Sequence, residues 1–316
     1  MYDDNRKLNP FTDIGFKHIF GMESSKQVLI DFLNALLEDE PMCEKIVDLE
    51  HLTPEYMPVN DEYSRFMYDV NCRTETGRNI LVEIQRKVHP NFRDRMTVYS
   101  AAAVIERLES KRHSFKTRLQ ELRQNPGWPS TEQENREEME LIERSNSYKI
   151  DSVYTIALCN FVIDLLRPWY KLSEGRCDLH TKELVDDLQR FIYIQLPLFK
   201  KSAHECETSL DRWIYSLKHL PKITLNPFAA DYVEFERLMI VSDPGTLTEK
   251  ERRIYKKQLD DFITTREYKR YAHAEGREDG VRIMLEQAVR TMRANGLDNP
   301  TIARFLNASV ELVASI

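Results

Sequence analysis

The stretch MYDVNCRTETGRNILVEIQRK, residues 67–87, decides how the rest of this chain is read. Two runs suited to strands, 66–73 and 79–85, flank a turn containing Gly77, which is the pattern of an antiparallel hairpin. Side chains alternate faces along a strand, so Asp69 and Asn71 share one face of the first run. Leu81, Glu83 and Gln85 share a face of the second, with Ile80, Val82 and Ile84 opposite. Register then sets a sharp condition. Asp69 faces the same way as Glu83 only if the connecting loop has odd length or a bulge is present. A two-residue Thr76-Gly77 turn would set Asp69 against Ile84 and separate the two carboxylates.

Two carboxylates and an amide on one face of a hairpin can hold a divalent cation. Magnesium takes oxygen ligands and retains several waters, so Asp69 and Glu83 suffice, with the backbone carbonyl of Ile84 as a third oxygen. A cation there would lower the pKa of a water and stabilise charge on a phosphate, and Gln85 would orient the water or touch the phosphate. A polar-out, apolar-in hairpin has the same alternation, and spacing alone does not separate the two readings. The run ILVEIQ is otherwise apolar, however, and a carboxylate in such a run calls for a partner or a metal.

Working outward, Phe16, Ile19 and Phe20 recur at helical spacing, and Val28, Leu29, Phe32, Leu33, Leu36 and Leu37 continue the pattern past Gly21. The spacing predicts a short helix from Asp13, a turn at Gly21-Met22, and a second helix over 24–38 capped by Ser24 or Ser25. A strand over 46–51 follows. Residues 91–122 read as a helix, and 113–147 as a solvent-facing helical hairpin broken at Pro126 and Pro129. Strand signals return at 152–161 and 190–196, and a helix follows Glu205. The charged region from Thr246 ends in a two-helix, helix-turn-helix-like tail without a basic recognition helix. This divides the chain into a domain over 1–245, with the 113–147 insertion, and a helical region over 246–316.

Composition limits the partners. The net charge of −7 argues against a broadly basic nucleic-acid surface, yet basic residues outnumber acidic ones between Arg86 and Arg123. Five cysteines without a CxxC pair read as reduced thiols, with Cys72 and Cys159 buried in strands. No glycine-rich phosphate loop points to a nucleotide cofactor, and no apolar run has the length of a membrane span. With no apolar signal core at the N-terminus, a cytoplasmic protein is the expectation.

Several segments together carry a resemblance: NPFTDIGFKHIFG (9–21), LIDFLNALLED (29–39), YDVNCRTETGRNILVEIQ (68–85), FRDRMTVYSAAAV (92–104) and FIYIQLPLF (191–199). In this order they resemble the Rpn family of recombination-promoting nucleases and putative transposases, within the PD-(D/E)XK nuclease superfamily. The Trp213 helix, the Glu275-Gly276 and Asp279-Gly280 repeats and the final two helices are similar too, leaving 113–147 outside the likeness. The resemblance implies an α/β restriction-endonuclease-like core of αβββαβ type, a mixed sheet flanked by helices, and Mg2+- or Mn2+-dependent cleavage of DNA. It assigns Asp69 to the motif aspartate, Glu83 to the acidic ligand, and Gln85 to the place lysine holds in the general superfamily pattern. An Asp-Lys pair common before the first motif strand is replaced by Val59-Asn60-Asp61-Glu62.

Lys17, in the first helix, is a candidate phosphate contact or a solvated helix charge. Arg95 and Tyr99, four apart on one helix face, line the cleft over the metal or are an ordinary salt-bridge arginine and a half-buried tyrosine. Asn71 reads as an outward-facing polar residue. The leading expectation is a DNA endonuclease linked to recombination, transposition or genome defence, acting as a monomer or a homodimer. Two others stand beside it: a weakly active or inactive nuclease-fold DNA-binding or assembly module, and an interaction protein whose tail recruits partners.

Overall fold

The computed structural model describes residues 7–41, 43–56, 66–149 and 151–316, side chains at 266 and 269–282 excepted. Val59-Asn60-Asp61-Glu62, where an Asp-Lys pair was sought, lies outside the described residues. The chain divides into two compact units, Met1–Tyr255 and Lys256–Ile316.

The first unit opens with α1 (Asp13–Phe20) and α2 (Lys26–Leu37), separated by a 3-10 turn over Glu23–Ser25. The Thr12 hydroxyl caps α1 by accepting from the Gly15 N–H at 3.1 Å. A Cβ on Gly15 would stand 2.1 Å from the Asn9 carbonyl oxygen, so only glycine lets this corner close. Ser25 precedes α2 without capping it: its hydroxyl donates to the Met22 carbonyl and stabilises the preceding turn.

A six-stranded mixed sheet follows, formed by β1 (Leu49–His51), β4 (Val70–Thr74), β5 (Asn79–Gln85), β6 (Val153–Cys159), β7 (Lys171–Gly175) and β8 (Gln189–Gln195). Their spatial order is β1-β4-β5-β6-β8-β7, and β2 (Glu55–Tyr56) pairs separately with β3 (Phe66–Met67). The pair β4–β5 is antiparallel, while β5–β6 and β6–β8 are parallel. The expected strand over 66–73 is thus two strands, broken at Tyr68-Asp69. The strand over 46–51 is confined to its last three residues. β7 was not foreseen because only Leu172 is buried in it, as an edge strand requires.

Every residue of β5 and β6 is buried. On the face carrying Leu81 and Glu83, helix α3 (Phe92–Arg123) packs Phe92 and Met96 against Ala157, Cys159 and Tyr193. The face bearing Ile80, Val82 and Ile84 is buried as well. Helices α5 (Ser209–His219) and α6 (Val233–Val241) pack with α1 and α2 through a run of rings. In that run Trp213 meets Phe32 at 5.6 Å and Phe235 at 5.1 Å, and Phe32 meets Phe20 at 5.1 Å.

The helical hairpin exists, and its first arm is the continuous end of α3. Its second arm is α4 (Glu132–Asn146), held by a Thr131–Glu134 capping box. Helix α7 (Glu249–Ala294) contains Gly276 and Gly280 without interruption. In the second unit α8 (Asn299–Leu306) and α9 (Val310–Ser315) bury Ile302, Ala303 and Val313 against Val289. Asn307, left-handed at φ 50°, terminates α8.

Candidate active site

The hairpin loop meets the condition set by the sequence. Thr74 N–H donates to the Arg78 carbonyl and Gly77 N–H to the Thr74 carbonyl, both at 2.9 Å, enclosing Glu75, Thr76 and Gly77. Gly77 has φ +90°, which a side chain resists. An odd loop pairs Arg73 with Asn79 and Val70 with Val82, and continuing that register sets Asp69 opposite Glu83.

Asp69 stands one residue before the ladder begins, and the two carboxylates occupy the backbone groups left there. Asp69 Oδ2 accepts from the Ile84 N–H at 2.8 Å, and Glu83 Oε1 accepts from the Asp69 N–H at 3.3 Å. No hydrogen bond among the described residues takes up Asp69 Oδ1 or Glu83 Oε2. The Gln85 carbonyl accepts from Asn160 N–H on the β6 side. Strand groups alternate direction, so the Ile84 carbonyl faces the Asp69 side, as its N–H does. The Gln85 amide shares Glu83's face and makes no hydrogen bond among the described residues.

Glu83 is 2% exposed. Burial pushes its carboxyl well above the usual glutamate range, and the Asp69 charge pushes the same way; the Asp69 N–H, Arg95 and Lys17 pull it back. Burial also raises Asp69, with Asp13 adding to the rise and the Ile84 N–H, Lys17 and Arg86 opposing it. A buried carboxylate, Glu83, and a half-buried one, Asp69, each with an oxygen that no hydrogen bond among the described residues takes up, stand beside a backbone carbonyl and an amide and form a hard-oxygen donor set of the kind magnesium takes. A cation would offset the burial that raises both and the Asp69 charge that further raises Glu83. Among the described residues no group of three or more His, Cys, Asp or Glu gathers for a metal, so the donor set rests on this pair.

The supporting residues divide. Lys17 lies near enough to act on both carboxylates and Arg95 to act on Glu83. Tyr99 packs edge-on against Phe66 and Tyr68 at 5.8 Å, and its hydroxyl accepts from Arg95 at 3.0 Å. Its ring is therefore part of the wall that supports the Asp69 segment. Asn71 is not outward-facing: it is buried, and its amide donates to the Thr53 carbonyl at 3.1 Å.

An ion pair was missed. Asp13 meets Arg86 at 3.2 Å, joining α1 to the residue after Gln85. Asp13 lies one helical turn before Lys17, so the pair orients the helix that carries the lysine. The adjacency of Arg86 to the motif was the one signal for it.

The chain matches the model of the PD-(D/E)XK nuclease family transposases over residues 10–122 and 133–272. The chain belongs to the PD-(D/E)XK nuclease family transposases. The gap in the match, 123–132, is the connection between α3 and α4 with one helical residue at each end, so most of the hairpin expected to lie outside the likeness lies within it. Residues 273–316 lie beyond the match. No curated protein and no solved structure matches the chain. Among the described residues no helix is long and apolar enough to cross a membrane.

Proposed function

We propose that this family member is a cytoplasmic Mg2+- or Mn2+-dependent DNA endonuclease of the recombination-promoting branch, serving recombination, transposition or genome defence. The observation that carries the reading is the reciprocal clasp of Asp69 and Glu83. Each carboxylate fixes one oxygen on the other strand's backbone or its partner's N–H, and no hydrogen bond among the described residues takes up the second oxygen. Asp69, Glu83 and the Ile84 carbonyl would hold the cation. Bound there, it supplies acidity to an attacking water and neutralises charge on the scissile phosphate.

The protein's own groups do the positioning. Gln85 accepts a hydrogen bond from the water or donates one to a phosphate oxygen, but carries no charge. Lys17, held on α1, supplies the positive charge that a lysine at position 85 would have brought, and Arg95 adds to it. A homodimer would present two such sites to the two strands of a duplex.

Cleavage of supercoiled plasmid in magnesium, compared with calcium and with chelator, tests the reading. Wild type should nick or linearise the plasmid in magnesium, and Asp69→Ala and Glu83→Ala should lose at least a hundredfold of that rate. A folded wild type inactive in both magnesium and manganese would move the account to a nuclease-fold DNA-binding module.

A further inference from the structure

The segment FVIDLLRPWY, residues 161–170, joins β6 to β7 and displays large apolar side chains to solvent: Leu165 is 86%, Leu166 91% and Trp169 63% exposed. Neighbouring exposed apolar residues of this size on one loop call for an occupant. The loop is not loosely built. Gln195, fully buried at the end of β8, accepts from Ile163 N–H at 2.6 Å and donates to the Trp169 carbonyl at 2.9 Å. Asp164 Oδ1 accepts from Leu166 N–H at 2.9 Å, and the Tyr170 hydroxyl donates to Asp211 at 2.9 Å. A fixed base therefore presents a bare apolar tip.

Its position relates it to the carboxylate pair. Glu83 aligns with Ala157 and Gln85 with Cys159 in the parallel register, and Asn160 N–H donates to the Gln85 carbonyl at 2.9 Å. The loop thus leaves the sheet at the carboxyl end of β5 and β6, directly beside the candidate active site. Leu165 is five residues beyond that bond, at most about 18 Å of extended chain. At about 3.4 Å per nucleotide along a strand, that is within about five nucleotides of the site. The ionic groups at the loop balance, because Arg167 pairs with Asp164 at 3.3 Å and with Glu174 at 3.0 Å, and Arg93 from α3 also pairs with Glu174, two cations against two carboxylates.

We infer that this loop is a base-contacting wedge, with Trp169 stacking on a base and Leu165 and Leu166 entering an opened base step within about five nucleotides of the scissile phosphate. The inference rests on the endonuclease reading for its substrate. Every base has a π-face, so an aromatic platform of this kind binds DNA with little sequence preference, and aliphatic side chains at unstacked steps bend a duplex.

The test is binding of a short labelled duplex carrying a central mismatch, by fluorescence anisotropy in chelator, with intact wild type and with Trp169→Ala, Leu166→Ser and Trp169→Phe. Trp169→Ala should weaken binding roughly 5- to 150-fold, the range for removing one base-stacking aromatic. Trp169→Phe should retain most of the affinity, and DNA should quench wild-type tryptophan emission. Unchanged affinity in Trp169→Ala and Leu166→Ser, or a wild type that binds no DNA, overturns the proposal. So does unchanged DNA affinity accompanied by altered sedimentation, which would make the loop a surface for a second copy. Wild-type hydrolysis of bis(4-nitrophenyl) phosphate in manganese, which offers no base to stack, tests the carboxylate pair separately. Its failure would sink the endonuclease reading while the binding measurement still decides the loop.

Discussion

Replacing Glu83 with glutamine should stabilise the metal-free protein at pH 8 and remove its response to magnesium. The side chain is buried, and burial with the neighbouring Asp69 charge lifts its pKa well above the ordinary 4.5. The sign follows from linkage. The unfolded chain releases this proton near its ordinary value while the folded chain holds it, so stability is highest below that value. It is then lost as pH rises through the folded-state pKa. Each pKa unit of elevation costs about 1.4 kcal/mol at high pH. Glutamine has nearly the same shape, keeps an oxygen to accept from the Asp69 N–H, and has no charge to desolvate, so its metal-free Tm at pH 8 should exceed that of wild type. Magnesium at a hundredfold excess over its Kd should stabilise wild type by about 2.7 kcal/mol. At about 2–4 °C per kcal/mol for a unit of this size, that is a rise of roughly 5–10 °C. Differential scanning fluorimetry at pH 5 and pH 8, with magnesium and with chelator, reads both effects. A glutamine variant less stable than wild type in chelator at pH 8, or one keeping the full magnesium increment, would refute the reasoning.

Metal affinity of wild type should fall as pH is lowered, because the raised carboxyls of Asp69 and Glu83 must lose protons to bind; manganese titration calorimetry at pH 6 and pH 8 reads this. Gly77→Ala should cost about 1–2 kcal/mol in urea unfolding, since the left-handed turn fixes the register. Gly15→Ala should cost more, because the clash is with backbone at 2.1 Å and cannot be relieved by a rotamer. Gln195→Ala should destabilise by roughly 1–3 kcal/mol for each buried loop group left unpaired, and should free residues 163–169 to rapid hydrogen exchange. In the folded protein Cys72, buried with its thiol pushed up to about 12, should resist a thiol reagent that modifies exposed Cys177 at once.

How much of this was legible in the sequence depended on whether the signal was local. The apolar periods of α1, α2, β5, β6 and β8 are local, and so was the parity argument that required an odd loop for Asp69 to meet Glu83. The break between β3 and β4 was not, because it arises where β3 turns to pair with β2, away from the main ladder. β7 lacks an apolar pattern because an edge strand needs to bury little. Tyr99 and Asn71 show the limit for side chains. Alternation put Asn71 on an outward face, yet it is buried and closes on the Thr53 carbonyl; helical spacing gave Tyr99 a face without saying what it meets there, and its half-buried ring packs on Phe66 and Tyr68. Arg86–Asp13 joins residues more than seventy positions apart, and no spacing rule could pair them.

The most direct test of the carboxylate pair is single-turnover cleavage of a short defined duplex as magnesium is titrated, for wild type, Asp69→Asn and Glu83→Gln. The account predicts a saturable magnesium dependence in wild type. Both variants should fold, should bind the duplex in chelator as wild type does, and should cleave it at least a hundredfold more slowly. Cleavage at the wild-type rate and magnesium midpoint in either variant would contradict the assignment of the site to these two residues.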